Sequence, residues 1–241
     1  QLAESNKVKD KLFSIVSHDL RSPIDTFAKM TGLLAGNFDE IDREKKKAYL
    51  KDMFSHSTAV SDQLNKLLLW AKLHLHKIEA DPCEIELNGI VQSNIEYLTP
   101  FARDKGMVIS FENGSPVKAY ADDSMVNIIV KNLIENSIKH SKEADKITVN
   151  ISNDEGRAKL EVSDNGILYN KEMVTDMFNI SKRVFTPNKF SLMDSGIGVS
   201  ISKEFTEMNG GEIYAEALEE GGLRVTVLLP EKGEIPQTPY K

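Results

Sequence analysis

The sequence has little of what a disulfide-stabilised, membrane-spanning or nucleic-acid-binding protein needs. Its 241 residues include one cysteine, Cys83, which excludes an internal disulfide and a cysteine-rich zinc site and favours a reducing compartment. No run approaches the ~20 apolar residues of a membrane span, and no signal peptide is visible. With 30 Lys and Arg against 37 Asp and Glu, the net charge of −7 argues against nucleic acid as a partner. Because the chain begins with Gln1 rather than Met, we expect any membrane anchor to precede it.

The composition is that of a folded protein, and the apolar periodicity predicts two domains. Hydrophobic residues make up 40% of the chain and charged residues 28%. The pattern is helical up to about residue 80 and alternates between helix and strand afterwards. We therefore expect a helical domain over 1–80, a linker over 81–86, an α+β domain over 87–230 and a loose tail over 231–241.

The first domain carries two apolar seams of heptad type. One runs from Phe13 to Leu34 and the other from Met53 to Ile78, with a polar break over 36–43 between them. Two antiparallel helices with one seam each cannot enclose a core. We therefore expect two hairpins to pair into a four-helix bundle, which makes the protein a homodimer.

The second domain mixes strands with helices, and we expect the helices to lie on one face of the sheet. The sequence predicts hairpins of strands 107–111 with 117–121 and of strands 147–152 with 158–163, and a final pair of strands at 212–217 and 223–229. Asp122 is the expected N-cap of a helix that reaches His140. Further helices are expected over 88–105, 171–178 and 198–208.

A solvent-facing histidine is the first candidate for chemistry. His18 lies two residues from the seam positions Val16 and Leu20, which at ~100° per residue puts it on the outside of the helix. Asp19 adds a carboxylate that can hold one ring nitrogen as N–H and leave the other as a nucleophile. Pro23 removes a helical hydrogen bond without a packing benefit. An isolated surface histidine needs no function, but this combination favours one.

A polar helix face is the second candidate. The sequence contains no Gly-x-x-x-x-Gly-Lys-Ser/Thr motif, so nucleotide phosphates would need a different site. Asn132, Glu135, Asn136 and Lys139 share one face of the predicted helix. An amide oxygen can share Mg²⁺ with phosphate oxygens, and the lysine adds a compensating charge. A solvated face without a ligand is the alternative interpretation.

Two glycine-containing segments follow. Asp164-Asn165-Gly166 comes after a predicted strand, and its carboxylate can only accept hydrogen bonds. It would accept one from the exocyclic amine of adenine and repel the carbonyl oxygen of guanine. Gly196 and Gly198 precede a predicted helix, where backbone N–H groups can bind phosphate oxygens. An ordinary turn and a plain helix start are the alternatives.

These segments, in this order, resemble the motifs of the sensor histidine kinases of two-component systems. Residues 13–23 (FSIVSHDLRSP) resemble the H-box, residues 132–141 (NLIENSIKHS) the N-box, and residues 164–166 and 195–200 the two glycine boxes. Met177-Phe178 is similar to the F-box. The resemblance covers nearly all of the chain from Lys7 to Pro230.

The resemblance implies a helical hairpin that dimerises, followed by the α/β sandwich of the GHKL ATPases, also called the Bergerat fold. It implies ATP-dependent autophosphorylation of His18 with Asp19 as the general base, and phosphoryl transfer to an aspartate of a response regulator receiver domain. ATP and Mg²⁺ are the implied cofactors, and the implied location of this part of the protein is cytoplasmic.

The resemblance also assigns the remaining site residues. Asn136 is the implied Mg²⁺ ligand, Asn132 and Lys139 lie near the phosphates, and His140 stacks on the nucleotide. The other implied positions are Ser22 for phosphatase chemistry, Asp164 and Gly166 at the base, Gly196 and Gly198 at the phosphates, and Arg183 in the ATP lid.

The sequence departs from the family pattern at three places. Leu168 replaces the second glycine of the first glycine box, Asp194 stands where the second box usually opens with glycine, and Leu223-Arg224 replace small hydroxyl residues. These departures motivate a second hypothesis. In it, the protein is a degenerate kinase that acts as a dimeric signalling scaffold or as a response regulator phosphatase.

Overall fold

The computed structural model describes residues 21–75, 77–112, 114–141, 145–169, 171–178 and 196–232, which fall into two compact units. The first is a hairpin of helices α1 (Arg21–Gly36) and α2 (Arg43–His74), separated by the predicted polar break. Asp42 begins α2 as its N-cap, because its carboxylate accepts a hydrogen bond of 2.8 Å from the Lys45 backbone N–H. Apolar residues of both helices are buried: Leu34, Leu67, Trp70 and Leu73.

Helix α2 ends earlier than the sequence predicts. The periodicity extends to residue 80, but the last helical residue is His74, followed by Leu75 as the C-cap. The backbone N–H of Asp81 is bonded to the Asp122 carboxylate at 3.0 Å, so the second unit already holds the chain at that point.

The second unit has an α+β fold, as predicted. Its described strands form a five-stranded sheet in the order β2-β4-β5-β7-β6 and a separate pair, β1-β3; the β2–β4 pairing is parallel and the others are antiparallel. The strands are β1 (Cys83–Glu86), β2 (Val108–Phe111), β3 (Lys118–Ala121), β4 (Lys146–Asp154), β5 (Arg157–Asp164), β6 (Glu212–Ala217) and β7 (Leu223–Pro230). The helices are α3 (Leu87–Asp104), α4 (Asp123–His140), α5 (Lys171–Asp176) and α6 (Ile197–Met208).

The core lies between the sheet and helix α4. This helix packs on β4 and β5, and its buried residues include Ile129, Val130, Leu133 and Ile134. The burial of β5 alternates along the strand, as expected for a sheet with one covered face. No helix in the described ranges is both long enough and apolar enough to cross a bilayer.

The predicted hairpin of the first two strands is wrong. Strand β2 pairs in parallel with β4, whereas β3 pairs with β1, so the two belong to different sheets. The segment before β3 is fastened to the start of α3. The Asn88 side chain accepts from Val117 N–H at 2.9 Å, and the Val117 carbonyl accepts from Leu87 N–H at 2.9 Å. These bonds direct β3 away from β2.

Most of the expected linker over 81–86 is a strand. Cys83 pairs with Ala121 and Glu86 with Lys118, and Ile85 is buried. The short alternation in this strand is too weak to distinguish it from a linker by sequence. By contrast, the β4–β5 hairpin is confirmed, with a two-residue turn at Glu155 and Gly156, which have φ of 50° and 81°.

Asp122 links the start of α4 to the end of α6, the two helices that carry the candidate nucleotide motifs. As predicted, it is the N-cap of α4 and accepts from Met125 N–H at 3.0 Å. Its own backbone N–H donates to the side chain of Asn209, just after α6, at 2.6 Å. The Asn209 amide in turn donates to the Phe205 carbonyl within α6 at 2.7 Å. These bonds fix the first turn of α4 against the end of α6.

Candidate functional site

A buried carboxyl group at the end of β5 is the centre of the site. The side chain of Asp164 is 5% exposed and accepts a hydrogen bond of 3.0 Å from the backbone N–H of Gly166. The hydroxyl of Ser137 on α4 and the backbone N–H of Leu223 on β7 are further donors that lower its pKa. Burial raises the pKa of Asp164, and the three donors and nearby His140 oppose that rise.

Glycines bring the backbone close to this carboxyl group. Gly222 has φ of 91°, and a Cβ on it would lie 1.9 Å from the Asp164 carbonyl oxygen. Its N–H donates to the Ile167 carbonyl at 2.9 Å, so the turn between β6 and β7 rests on residues 164–167. Asn165 secures the other side, since its side chain accepts from Lys146 N–H at 2.7 Å. Only glycine fits at position 222.

A buried asparagine joins α4 to α6. Asn132 is 3% exposed and donates from Nδ2 to the Gly198 carbonyl at 3.2 Å. The Ser202 hydroxyl donates to the same carbonyl at 3.0 Å. A Cβ on Gly198 would lie 3.4 Å from Asn132 Oδ1, which is ordinary van der Waals contact. The second glycine segment is thereby held beside the predicted polar face.

The predicted polar face is not uniformly exposed. Asn132 points inward, Asn136 and His140 are half-buried, and Lys139 is exposed. Glu135 makes an ion pair of 3.6 Å with Lys131 on the same helix. The face therefore grades from a buried end at Asn132 to an exposed end, with Asn136 at the margin.

Several predicted residues fall outside the described ranges. His18, Asp19, Arg183 and Asp194 are among them, and for Ser22 only its place in the α1 backbone is described. Within the described ranges, the structure places Asp164 and Gly198 in direct contact with α4. Gly166 is bonded to Asp164, and Gly196 has φ of 65° just before α6.

Sequence reasoning missed two hydroxyl groups on α4 and its C-cap. Ser137 contacts Asp164, and Ser141 has a buried Oγ with no hydrogen-bond partner among the described residues. This Oγ lies 3.0 Å from the position that a Cβ on Gly166 would take. The available signal was a serine at 137, one turn after the buried Leu133, where the helical period expects an apolar residue. An acceptor-only carboxylate and a free hydroxyl can together bind a flat ligand that carries an amine.

The raised pKa of Asp164 predicts a pH-dependent stability of the ligand-free protein. The protonated carboxyl favours the folded state, so its contribution is complete below about pH 4, the ordinary range of aspartate, and is lost as the pH rises through the raised pKa. Asp164→Asn removes this titration. In urea titrations, we expect the free energy of unfolding of the variant to increase relative to that of the wild type as the pH rises from 4 to 7. A difference that is constant with pH would contradict the assignment.

Part of the second unit, which is called the ATPase unit below, matches a known family. The profile of the histidine kinase-, DNA gyrase B- and HSP90-like ATPases matches residues 121–233. Histidine kinase P4 of Formosa agariphila is 26% identical over 239 residues, which cover 94% of this chain and 17% of that protein. Across eight curated relatives, the chain spans between 11% and 44% of their length.

Two solved structures share the fold over most of the chain. Acinetobacter baumannii histidine kinase AdeS has a TM-score of 0.68 at 15% identity and covers 90% of this chain and 98% of its own. Histidine kinase ThkA in complex with response regulator protein TrrA has a TM-score of 0.66 at 19% identity, with 95% and 64% covered. The motif order, the profile match and the histidine kinase relatives support a sensor histidine kinase with a GHKL-type ATPase domain, and the solved structures show the same fold.

Proposed function

We propose that the protein is an ATP-dependent protein histidine kinase that phosphorylates His18 and passes the phosphoryl group to an aspartate of a response regulator. The observation that carries this proposal is the Asp164 carboxyl group, buried at the end of β5 and bonded to the backbone N–H of Gly166 at 3.0 Å. Burial of such a group costs free energy, because desolvation disfavours its charge. An adenine amine would supply the hydrogen bond that the buried carboxylate can still accept.

The residues on α4 and before α6 suit the phosphate end of the nucleotide. Asn136, half-buried at the margin of the polar face, offers a neutral oxygen to Mg²⁺, and Lys139 and His140 follow within a turn. Backbone N–H groups near Gly196 and Gly198 would bind phosphate oxygens, and Asn132 holds that segment in place. When bound, Mg²⁺ neutralises charge on the phosphates.

The proposed chemistry is an in-line displacement at phosphorus. A ring nitrogen of His18 attacks the γ-phosphorus, the bond from that phosphorus to the β,γ-bridging oxygen breaks, and ADP leaves. Asp19 holds the other ring nitrogen and accepts the proton that the imidazole gives up. An aspartate carboxylate oxygen of the response regulator then attacks the phosphorus of the phosphohistidine, the P–N bond breaks, and an aspartyl phosphate forms. The imidazole regains the proton held by Asp19 and returns to its neutral form.

Exposed apolar surface supports the proposed homodimer. Large apolar side chains on the described part of the hairpin are exposed in the single chain: Ile24, Phe27, Leu33, Leu50, Phe54, Leu64 and Leu68. Phe54 is 73% exposed. Burial of such a surface against a second copy would be favourable. A receiver domain is the proposed second partner, by analogy with the ThkA–TrrA complex. A cytoplasmic location of this part of the protein belongs to the same proposal.

Incubation with γ-labelled ATP and Mg²⁺ tests the proposal. We expect wild-type protein to acquire label that is labile in acid and stable in base, as phosphohistidine is. Asp164→Asn should weaken ATP binding by about 10- to 100-fold, which is the range of one hydrogen bond to a charged group, and label formation at low ATP should fall accordingly. Titration of both proteins with a fluorescent ATP analogue measures the first effect.

The matched control is Asp154→Asn, because Asp154 is an exposed aspartate at the other end of the same hairpin. This variant should bind ATP and acquire label as the wild type does. Wild-type protein that binds no ATP would instead support the scaffold hypothesis. The side chain of Leu168, one departure that motivates that hypothesis, is 76% exposed and therefore does not fill the interior beside Asp164. Phosphatase action would be tested separately by dephosphorylation of the regulator with Ser22→Ala.

A further inference from the structure

The last turn of α4 receives a hydrogen bond from outside the helix. A helix leaves its last carbonyl groups without donors of its own. In α4 the Ser137 carbonyl still accepts from the backbone N–H of Ser141 at 3.1 Å, and Ser141 then leaves the helix with an extended ψ of 159°. The next carbonyl, that of Ile138, accepts from the side-chain ammonium of Lys105 at 2.8 Å. Ile138 is 7% exposed, and a carbonyl left without a donor there would cost free energy.

The backbone that carries Lys105 is itself fixed. Lys105 is the C-cap of α3, and Gly106 follows it with φ of 68°. The N–H of Gly106 donates to the Arg103 carbonyl at 2.9 Å, and the N–H of Met107 donates to the Ala102 carbonyl at 2.9 Å. These two bonds form a Schellman motif, and its ends, Ala102 and Met107, are both buried. The ammonium group of Lys105 therefore extends from a well-defined point of the fold.

The turn that Lys105 bonds also carries two residues assigned to the nucleotide. Lys139 and His140 are the last two residues of α4 and directly follow Ile138. Their backbone positions therefore depend on whether this turn stays helical. A cation suits this end of a helix, because the last carbonyl groups carry partial negative charge and a bond from an ammonium group to them is charge-assisted.

We propose that Lys105 is a positioning residue for nucleotide binding, which holds the last turn of α4 in its helical form through the bond to the Ile138 carbonyl. The inference rests on the proposed ATP binding. Lys105 lies outside the motifs that resemble the family, and no contact with the nucleotide is assigned to it. Without its ammonium group the turn would open more often, and binding would then have to restore it, which lowers the apparent affinity.

Amide hydrogen exchange in the nucleotide-free protein tests the first step. Lys105→Met keeps most of the aliphatic chain and loses the donor. We expect the backbone N–H groups at the C-terminal end of α4 to exchange about tenfold faster in this variant than in the wild type. Exchange at the start of α4, where Asp122 is the N-cap, should be unchanged. Lys105→Arg keeps a cationic donor and should restore slow exchange. Unchanged exchange at the end of α4 in Lys105→Met overturns the inference.

Nucleotide titration and labelling test the second step. Lys105→Met should bind ATP about five- to tenfold more weakly, with a similar rise in the KM for ATP, and its labelling rate at saturating ATP should stay within about twofold of the wild type. A merely structural role would lower the free energy of unfolding without this split between KM and kcat, and would overturn the inference. Lys105→Gln, which keeps a neutral N–H donor, is the milder variant, and its exchange and affinity should lie between those of the wild type and Lys105→Met.

Lys118→Met is the matched control. Lys118 is an exposed lysine whose ammonium pairs with Glu84 at 2.6 Å between β3 and β1, so the variant changes the net charge equally without touching the end of α4. It should exchange and bind ATP as the wild type does. An affinity loss in Lys105→Met that Lys118→Met shares, or that disappears in high salt, would show an effect of charge alone and overturn the inference. Wild type that binds no ATP would instead overturn the proposed function, and slow exchange that depends on Lys105 would remain as a property of the fold.

Discussion

His18→Gln is expected to abolish acid-labile labelling completely while leaving the affinity for ATP within about twofold of the wild type. The amide of glutamine keeps the size and polarity of imidazole but has no nucleophilic lone pair on nitrogen, so no phosphoryl group can be accepted. The proposed nucleotide contacts all lie between Asn132 and Gly198, far along the chain from position 18. The variant should therefore lose phosphoryl transfer and keep its ATP binding.

His56→Gln is the matched control for that variant. His56 is a half-buried histidine on α2, within the same hairpin, and nothing in its surroundings assigns it to catalysis. Its labelling should match that of the wild type. Acid-labile label that persists in His18→Gln, or that is lost in His56→Gln with ATP binding intact, would place the phosphoacceptor elsewhere.

Gly222→Ala is expected to destabilise the ATPase unit by about 3–5 kcal/mol and to abolish measurable ATP binding. Two effects add. A residue with a side chain is strained at φ of 91°, and the new Cβ would overlap the Asp164 carbonyl oxygen at 1.9 Å and the Asn165 Cα at 2.7 Å. The obstacle is backbone, so relief requires movement of the segment that holds the Asp164 carboxyl group. Such a loss is a large part of the ~5–15 kcal/mol that holds a typical domain together.

Gly156→Ala is the matched control, because it introduces backbone strain at a positive φ without a steric overlap of the new Cβ. Gly156 has φ of 81° in the β4–β5 turn, but no atom lies within 4 Å of a Cβ placed on it. We expect this variant to lose only about 1–2 kcal/mol and to bind ATP normally. Thermal or urea unfolding, followed by ATP titration, measures both quantities. Equal losses in the two variants would show that the packing of Gly222 against Asp164 has no special role.

Local signals predicted most of the elements because each depends on nearby residues. Asp122 begins α4 through a bond to Met125, three residues on, and Glu155-Gly156 set the β4–β5 turn by their own backbone preferences. Such features are readable along the sequence. The pairing of β1 with β3 is not, because it depends on Asn88 reaching Val117 across a separation that no periodicity encodes.

The residues of the candidate site likewise fall into those that local motifs predict and those that only the assembled fold brings together. Asp164, Gly166 and Asn136 were identified from short motifs, since their spacing is local. The contact of Ser137 with Asp164 joins a helix to a strand that follows it, and the fit of Gly222 against Asp164 joins two strands. These contacts emerge only when the sheet is assembled.

The pairing of β1 with β3 also decides where this chain can be divided. The family profile starts at Ala121, which is the last residue of β3. A fragment cut at that boundary would therefore lack β1, α3 and β2 and would keep only the end of β3. A fragment that starts at residue 87 would keep α3 but lose β1, so that β3 would have no partner on that edge. An exposed strand edge can pair with a strand of another molecule and cause aggregation. Recombinant expression of the ATPase half on its own should therefore begin at or before Asp81, where the chain first bonds to Asp122.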